Sequence, residues 1–335
     1  MFSLNHVIIL LLSIHNLFKI KSNYPMKKHF TFIFALTFFV LTSCKNDKPK
    51  EGTDKNVTDS TTTKTESEET KSNTGELEKG KFHFDYPVTD KLDAANGDKV
   101  FAIDMAVYLA DLKAGNPSIK ASLINATIKE VGEKESTVLN AESYKVPNSG
   151  IVIIPKGQTA KVGDFVAGKW NGVMMLGYVT NASNPKSPKV TFLGLDWDNP
   201  AKADDRKTTV GQFEYTLKEN EFMVVSKDFD PGTMCAIKSG KEWRLMDIFN
   251  SKDDKVMGVV YLDFKSANKS DCVPIPLKGN FKVSDQVYAP WMSTMFPGKI
   301  TKIDSKMGRI TVKFDDKVKG EKTVSFGQVI KDLPK

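Results

Sequence analysis

One short string is written four times along the chain. Val100-Phe101-Ala102, Phe165-Val166-Ala167, Met234-Cys235-Ala236 and Val287-Tyr288-Ala289 each follow a turn-forming pair. Those pairs are Gly97-Asp98, Gly163-Asp164, Pro231-Gly232 and Ser284-Asp285. Repetition constrains a fold more than composition does, because each copy must adopt one plan and stack on its neighbours. A second marker keeps register in the last three copies: Leu195-Asp196-Trp197, Leu262-Asp263-Phe264 and Phe314-Asp315-Asp316 all follow β-rich runs. A third sets Gly211-Gln212-Phe213 against Gly327-Gln328-Val329.

The copy at residues 284–330 reads most clearly. Val287, Ala289 and Trp291 alternate as one face of a strand does. Phe296-Pro297-Gly298 breaks the chain, and Lys299 to Ile303 is a second strand. Asp304 to Gly308 is turn chemistry. Ile310, Val312 and Phe314 share a face, and Val324 and Phe326 close the set. No helical periodicity competes here.

Three stretches of this copy, Val287-Tyr288-Ala289-Pro290-Trp291, Phe296-Pro297-Gly298 and Val312-Lys313-Phe314-Asp315-Asp316, resemble the Tudor group of SH3-like barrels. The resemblance implies a mainly β chain of tandem small SH3-like or Tudor-like barrels. The copies fall at 158–226, 227–281 and 282–335, after a degenerate barrel at 81–157. In that first copy Asp104 N-caps a helical insertion running to Lys113, and Gly115-Asn116-Pro117 stops it. Strands follow at Ala126 to Val131, Thr137 to Leu139 and Ile151 to Ile154. An unrelated α+β cap is the alternative for this part. In the second copy Met174 to Val179 is a strand, Val190 and Phe192 mark the next, and a polar loop runs from Asp198 to Lys207. In the third, Glu242 to Ile248 and Gly258 to Asp263 are strands, and Val273 to Leu277 takes an edge, where its prolines are tolerated. Units this small are marginal alone, so neighbouring copies should share apolar faces.

The chain begins with a different kind of sequence. Met26-Lys27-Lys28 opens a charged region, Phe30 to Val40 is apolar, and Leu41-Thr42-Ser43-Cys44 closes it. The apolar run has the length of a signal sequence and is short for a bilayer span. Leu41 to Cys44 resembles a bacterial lipobox, which implies a signal peptide at 26–43, cleavage before Cys44 and acylation of Cys44. Residues 1–25 precede this better start and are expected to be a mis-called extension. More than one acyl chain gives stable membrane anchoring. Lys45 offers no aspartate-type retention signal, which favours the outer membrane. Residues 44–80 form a tether too polar to bury a core, hence disordered, with a span of roughly 35 Å.

Charge excludes one class of partner. Of 48 basic residues, Lys19, Lys21, Lys27 and Lys28 lie in the leader, which holds none of the 41 acidic ones, so the remainder is nearly balanced. Nucleic-acid binding wants a concentrated basic stripe. Three of four histidines (His6, His15 and His29) also fall in the leader, leaving His83. The commonest metal ligand and general base is therefore nearly missing. GxSxG, HExxH, Walker and GxGxxG motifs are absent from the sequence. Neither catalytic residue, metal nor cofactor is expected.

The Tudor resemblance implies an aromatic cage at a barrel end, taking an ammonium group by cation–π attraction. Trp291, Phe296 and Phe314 match three cage positions, and Asp315 and Asp316 supply negative charge. Lys317 and Lys319 stand where the family often has a further aromatic and an amide, and they would oppose a cationic guest. The alternative is that the aromatics fill a small core. Trp170, Tyr178 and Trp197 are a looser set in the second copy, suited to core packing or to stacking on sugars. Cys235 and Cys272 can pair as a disulfide in an oxidising compartment, or Cys235 can serve as a buried apolar side chain. The expected function is non-catalytic binding of a protein, peptide or glycan in the envelope. The alternative is a carboxylate-dependent enzyme acting on envelope polysaccharide.

Overall fold

A computed structural model describes residues 77–170, 173–192 and 214–334. The expected leader, Cys44, most of the tether, Trp197 and the markers Leu195-Asp196-Trp197 and Gly211-Gln212-Phe213 lie outside the described residues. The described residues fall within one compact unit, Glu69–Lys335, and are mainly antiparallel β.

Four successive sets of strands follow one pairing order. The first comprises β1 (Lys99–Ile103), β2 (Leu123–Glu130), β3 (Glu135–Leu139), β4 (Ser143–Pro147) and β5 (Ile151–Ile153), ordered β4-β3-β2-β1-β5. The second is β6 (Phe165–Trp170), β7 (Val173–Asn181), β8 (Lys189–Phe192), β9 (Tyr215–Thr216) and β10 (Phe222–Val225), ordered β10-β6-β7-β8-β9. The third is β11 (Met234–Ser239), β12 (Glu242–Lys252), β13 (Lys255–Val260), β14 (Asp263–Asn268) and β15 (Cys272–Pro274); its fifth strand again pairs with its first. The fourth is β16 (Gln286–Trp291), β17 (Thr294–Asp304), β18 (Arg309–Phe314) and β19 (Glu321–Ser325), with a Tyr288–Ile330 bridge in place of a fifth strand. Among the described residues no sheet closes into a barrel. A single residue pair, Arg244–Thr294, joins the third and fourth sets into a nine-stranded sheet.

The repeated turn explains the repeated string. Gly97, Gly163, Gly232 and Ser284 all take φ between 78° and 94°. The following residue donates its N–H three positions back, as in a type II turn. In three copies the next side chain is an aspartate that accepts the first turn residue's N–H: Asp98 from Ala95, Asp164 from Lys161 and Asp285 from Lys282. The third copy uses Thr233, so the turn pair there is Gly232-Thr233, one residue later than Pro231-Gly232. The second strand of every set carries a bulge in the same place, after Ile128, Val179, Ile248 and Ile300. Each of these residues trades two backbone hydrogen bonds with the turn, fixing the bulge to it.

Two local expectations need correction. Phe296-Pro297-Gly298 does not break the chain, because β17 runs through it from a turn at Met292-Ser293. Pro297 is tolerated because its partner Tyr288 spends both backbone groups on Ile330, leaving no N–H to be asked of Pro297. The third strand of the third set is Lys255–Val260, earlier than Gly258 to Asp263, so Leu262 falls in the following turn.

The helical insertion stands as expected: α1 (Met105–Lys113) follows Asp104, whose carboxylate caps Ala106 and Val107, and Gly115 ends it at φ 66°. It buries Met105, Tyr108 and Leu112. No helix among the described residues is long and apolar enough to cross a membrane.

Strand faces divide the core. Val166, Cys235 and Val287 point into cores private to their sets. Phe165, Ala167, Met234 and Ala236 turn the other way, into one cluster fed by all four sets. Hydrogen bonds stitch the sets crosswise: Tyr178 Oη donates to Ser305 O at 2.9 Å, Arg309 to Phe192 O at 2.6 Å, and Asn250 to Ser149 O at 2.8 Å.

Candidate functional site

The expected cage aromatics of the fourth set come together but are already occupied. Trp291 packs edge-on against buried Phe314, with ring centroids 5.7 Å apart. The face of Phe296 is covered by Lys319, whose Nζ stands 4.1 Å from the ring centroid. Lys319 also binds Asp316. That bond, with the Val318 N–H, holds the Asp316 carboxyl below the usual carboxylate range. Asp315 is exposed, and its N–H donates to Pro297 O. The chain thus supplies its own cation to the ring that a cage would offer.

The second aromatic set is dispersed. Trp170 is buried in the private core of its set against Phe192 and Tyr215, each centroid 5.2 Å away. Tyr178 is buried in the shared cluster, beside Phe165 and Phe326. Cys235 and Cys272 are buried free thiols in one cluster. The Cys272 sulfur in hydrogen-bond contact, then burial, pushes the Cys235 thiol up.

A different site lies where the sets meet. A cavity of about 540 Å³ is walled by Ser122 and Leu123 from the start of β2, Met174 to Leu176 from β7, β12 with its neighbours, and Ser293 and Gln328 from the fourth set. This size and largely apolar lining are those of a small-ligand site. Asp247 projects into it from β12. Alternation puts Asp247 on the side of β12 occupied by Leu245, while Met246 and Ile248 fill the private core. Among the described residues its carboxylate has no cation or hydrogen-bond donor. Asp247 is exposed to the hollow but enclosed by protein, and burial pushes its carboxyl up to about 6. Among the described residues, the cavity lining includes no histidine, lysine, arginine or second carboxylate.

Two hairpin turns form the rim. Val260 pairs with Asp263 around Tyr261-Leu262, and Trp291 with Thr294 around Met292-Ser293. Tyr261 and Met292 line the cavity, are 63% and 73% exposed, and have φ of 63° and 57°. A two-residue turn with positive φ at its first central position favours glycine there. The matching hairpin of the third set, between Ser239 and Glu242, has Gly240 at φ 63°. A bulky residue in this conformation costs about 1–2 kcal/mol. Two such residues at one cavity mouth mark it as a place where side-chain identity outweighs local strain.

The sequence reading passed over this site. Its signal was Leu245-Met246-Asp247-Ile248-Phe249, one charge inside an apolar strand.

Comparison with known proteins adds little. No family model matches the chain, and no curated protein matches it. Among solved structures, the crystal structure of Arabidopsis thaliana AGDP1 AGD34 is similar at 14% identity, over 31% of this chain and 82% of that one, with a TM-score of 0.21. At that score the likeness carries no argument.

Proposed function

We propose that this chain is an acylated envelope lipoprotein, anchored through Cys44, whose body of tandem SH3-like, Tudor-like units works as a non-catalytic binding module. The repeated pairing order, with the fifth strand returning to the first, supports the SH3-like reading. The bulge fixed to each turn supports it as well. One observation carries the binding role: four sets converge on one hollow whose carboxylate, Asp247, has no partner among the described residues. The occupied ring of Phe296 moves the candidate site away from the barrel end. The enzyme reading is weaker here, because hydrolysis of a glycosidic bond ordinarily uses two facing carboxylates and the described residues of the lining supply one, Asp247. The partner is an envelope protein, peptide or glycan, and the favoured address is the outer membrane.

Two experiments test this. Labelled palmitate should enter the protein in growing cells and be lost in Cys44→Ala; labelling that survives the substitution removes the anchor. A photoreactive residue at Met292, on the cavity rim, should capture the partner in intact cells, while one at Val318, beside the barrel-end aromatics, should not. The reverse pattern returns the site to the cage.

A further inference from the structure

We propose that the cavity receives an alkylammonium group on an apolar stem, the ammonium meeting Asp247 and the stem lying against Met174, Met175, Met234 and Leu245. This rests on the binding reading above and adds the ligand class. Charge complementarity supports a cation: a carboxylate held among apolar side chains is unfavourable unless an opposite charge joins it. The described residues of the lining provide none. Asp247 faces Met234 on β11 and Val259 on β13. The other walls bring Met174 to Leu176, Ala121 to Leu123, Met292, Ser293 and Gln328. Besides Asp247, the titratable groups nearby among the described residues are the Tyr261 phenol at the rim and the Cys235 thiol on β11.

The rest of the lining fits an apolar stem. Methionines are unbranched and polarisable, so they mould to a flexible chain better than branched residues do. Four of them line this hollow, two from one strand, one from β11 and one from the rim. A lysine side chain of a peptide and a free amphiphilic amine both carry this chemistry.

The test uses the full chain with ¹³C-methyl methionine and follows methyl NMR signals. Met174, Met175, Met234 and Met292 report the cavity; Met246 and Met257, buried away from it, are controls. The probes are n-pentylamine, n-pentanol and pentanoate, with a second arm using an apolar pentapeptide centred on lysine against the same peptide centred on norleucine. Pentylamine should move the cavity methyls with affinity about tenfold or more above pentanol, and pentanoate should bind least. Asp247→Asn should bring pentylamine down to the level of pentanol, while an unchanged pentanol response shows the cavity intact. Pentylamine, protonated throughout, should bind more weakly as pH falls through about 6, where Asp247 takes up its proton, and pentanol should not. Binding of the lysine peptide over its norleucine twin places the group on a peptide; pentylamine binding without it places the group on a free amine. Equal binding of pentylamine and pentanol overturns the charge recognition but leaves the binding site standing. Silence of the cavity methyls to every probe overturns the site itself.

Discussion

At the scale of the residue, two bulky residues with positive φ and a carboxylate without a described partner meet at one cavity. Asp247 is the clearest case. Its folded carboxyl titrates near 6 against an ordinary 3.8, so the native state holds its proton more tightly than the unfolded chain does. Below pH ~4 both states are protonated and nothing is lost. Between pH ~4 and ~6 the unfolded state ionises first and the fold is penalised; above that the penalty is constant. Asp247→Asn should therefore match the parent in thermal stability at pH 4 and exceed it at pH 7, by on the order of 1 kcal/mol, since the open hollow screens part of the burial cost. A variant less stable than the parent at pH 7 would mean that a donor holds the carboxylate. Met292→Gly makes a parallel prediction. It relieves a left-handed backbone and removes a side chain that is 73% exposed, so the melting temperature should rise, by roughly 1 kcal/mol of stability.

At the scale of the element, the repeated alanine is a packing constraint. Ala102, Ala167, Ala236 and Ala289 are fully buried in the first strands, the first three in the shared cluster and Ala289 in the private core of its set. Gly232 approaches Ala167 so closely that a Cβ on the glycine would stand 2.6 Å from the alanine Cβ. Ala236→Leu should overpack the shared cluster and cost about 1–3 kcal/mol, seen as a lower denaturant midpoint with an unchanged slope. The strings, the turn pairs, α1 and most strands could be read from the sequence because each is written in local chemistry: a positive-φ residue, a capping aspartate, period-two alternation. β4 was missed because Ser143 to Pro147 is half exposed and carries little alternation. The length of β17 was missed because Pro297 looks like a breaker until its partner's hydrogen bonds are known. Trp291, Phe296 and Phe314 were legible as a group, yet the Lys319 contact that covers the Phe296 ring is a matter of packing. The cavity was not legible at all, since its walls are separated by up to about two hundred positions in the chain and meet only through the crosswise stacking of sets.

At the scale of the whole molecule, the sets are unequal in independence. The second, third and fourth each own a private cluster, whereas every buried apolar residue of β1 to β5 belongs to the shared one. The first set also leans on the third through Ala121 N–H to Leu262 O at 2.7 Å and through Tyr108 against Phe264. Residues 81–157 expressed alone should therefore give poorly dispersed amide signals and no cooperative melt. A dispersed spectrum from that fragment would show that the shared cluster is not what holds it.

Those four-part walls also fix a stoichiometry. Cages at barrel ends would be counted by the number of units, up to four for each molecule. A hollow whose sides are four unlike versions of one plan has no symmetry-related twin among the described residues, and no rotation maps it onto itself. Saturation should arrive at one equivalent of guest per polypeptide, entering in one orientation.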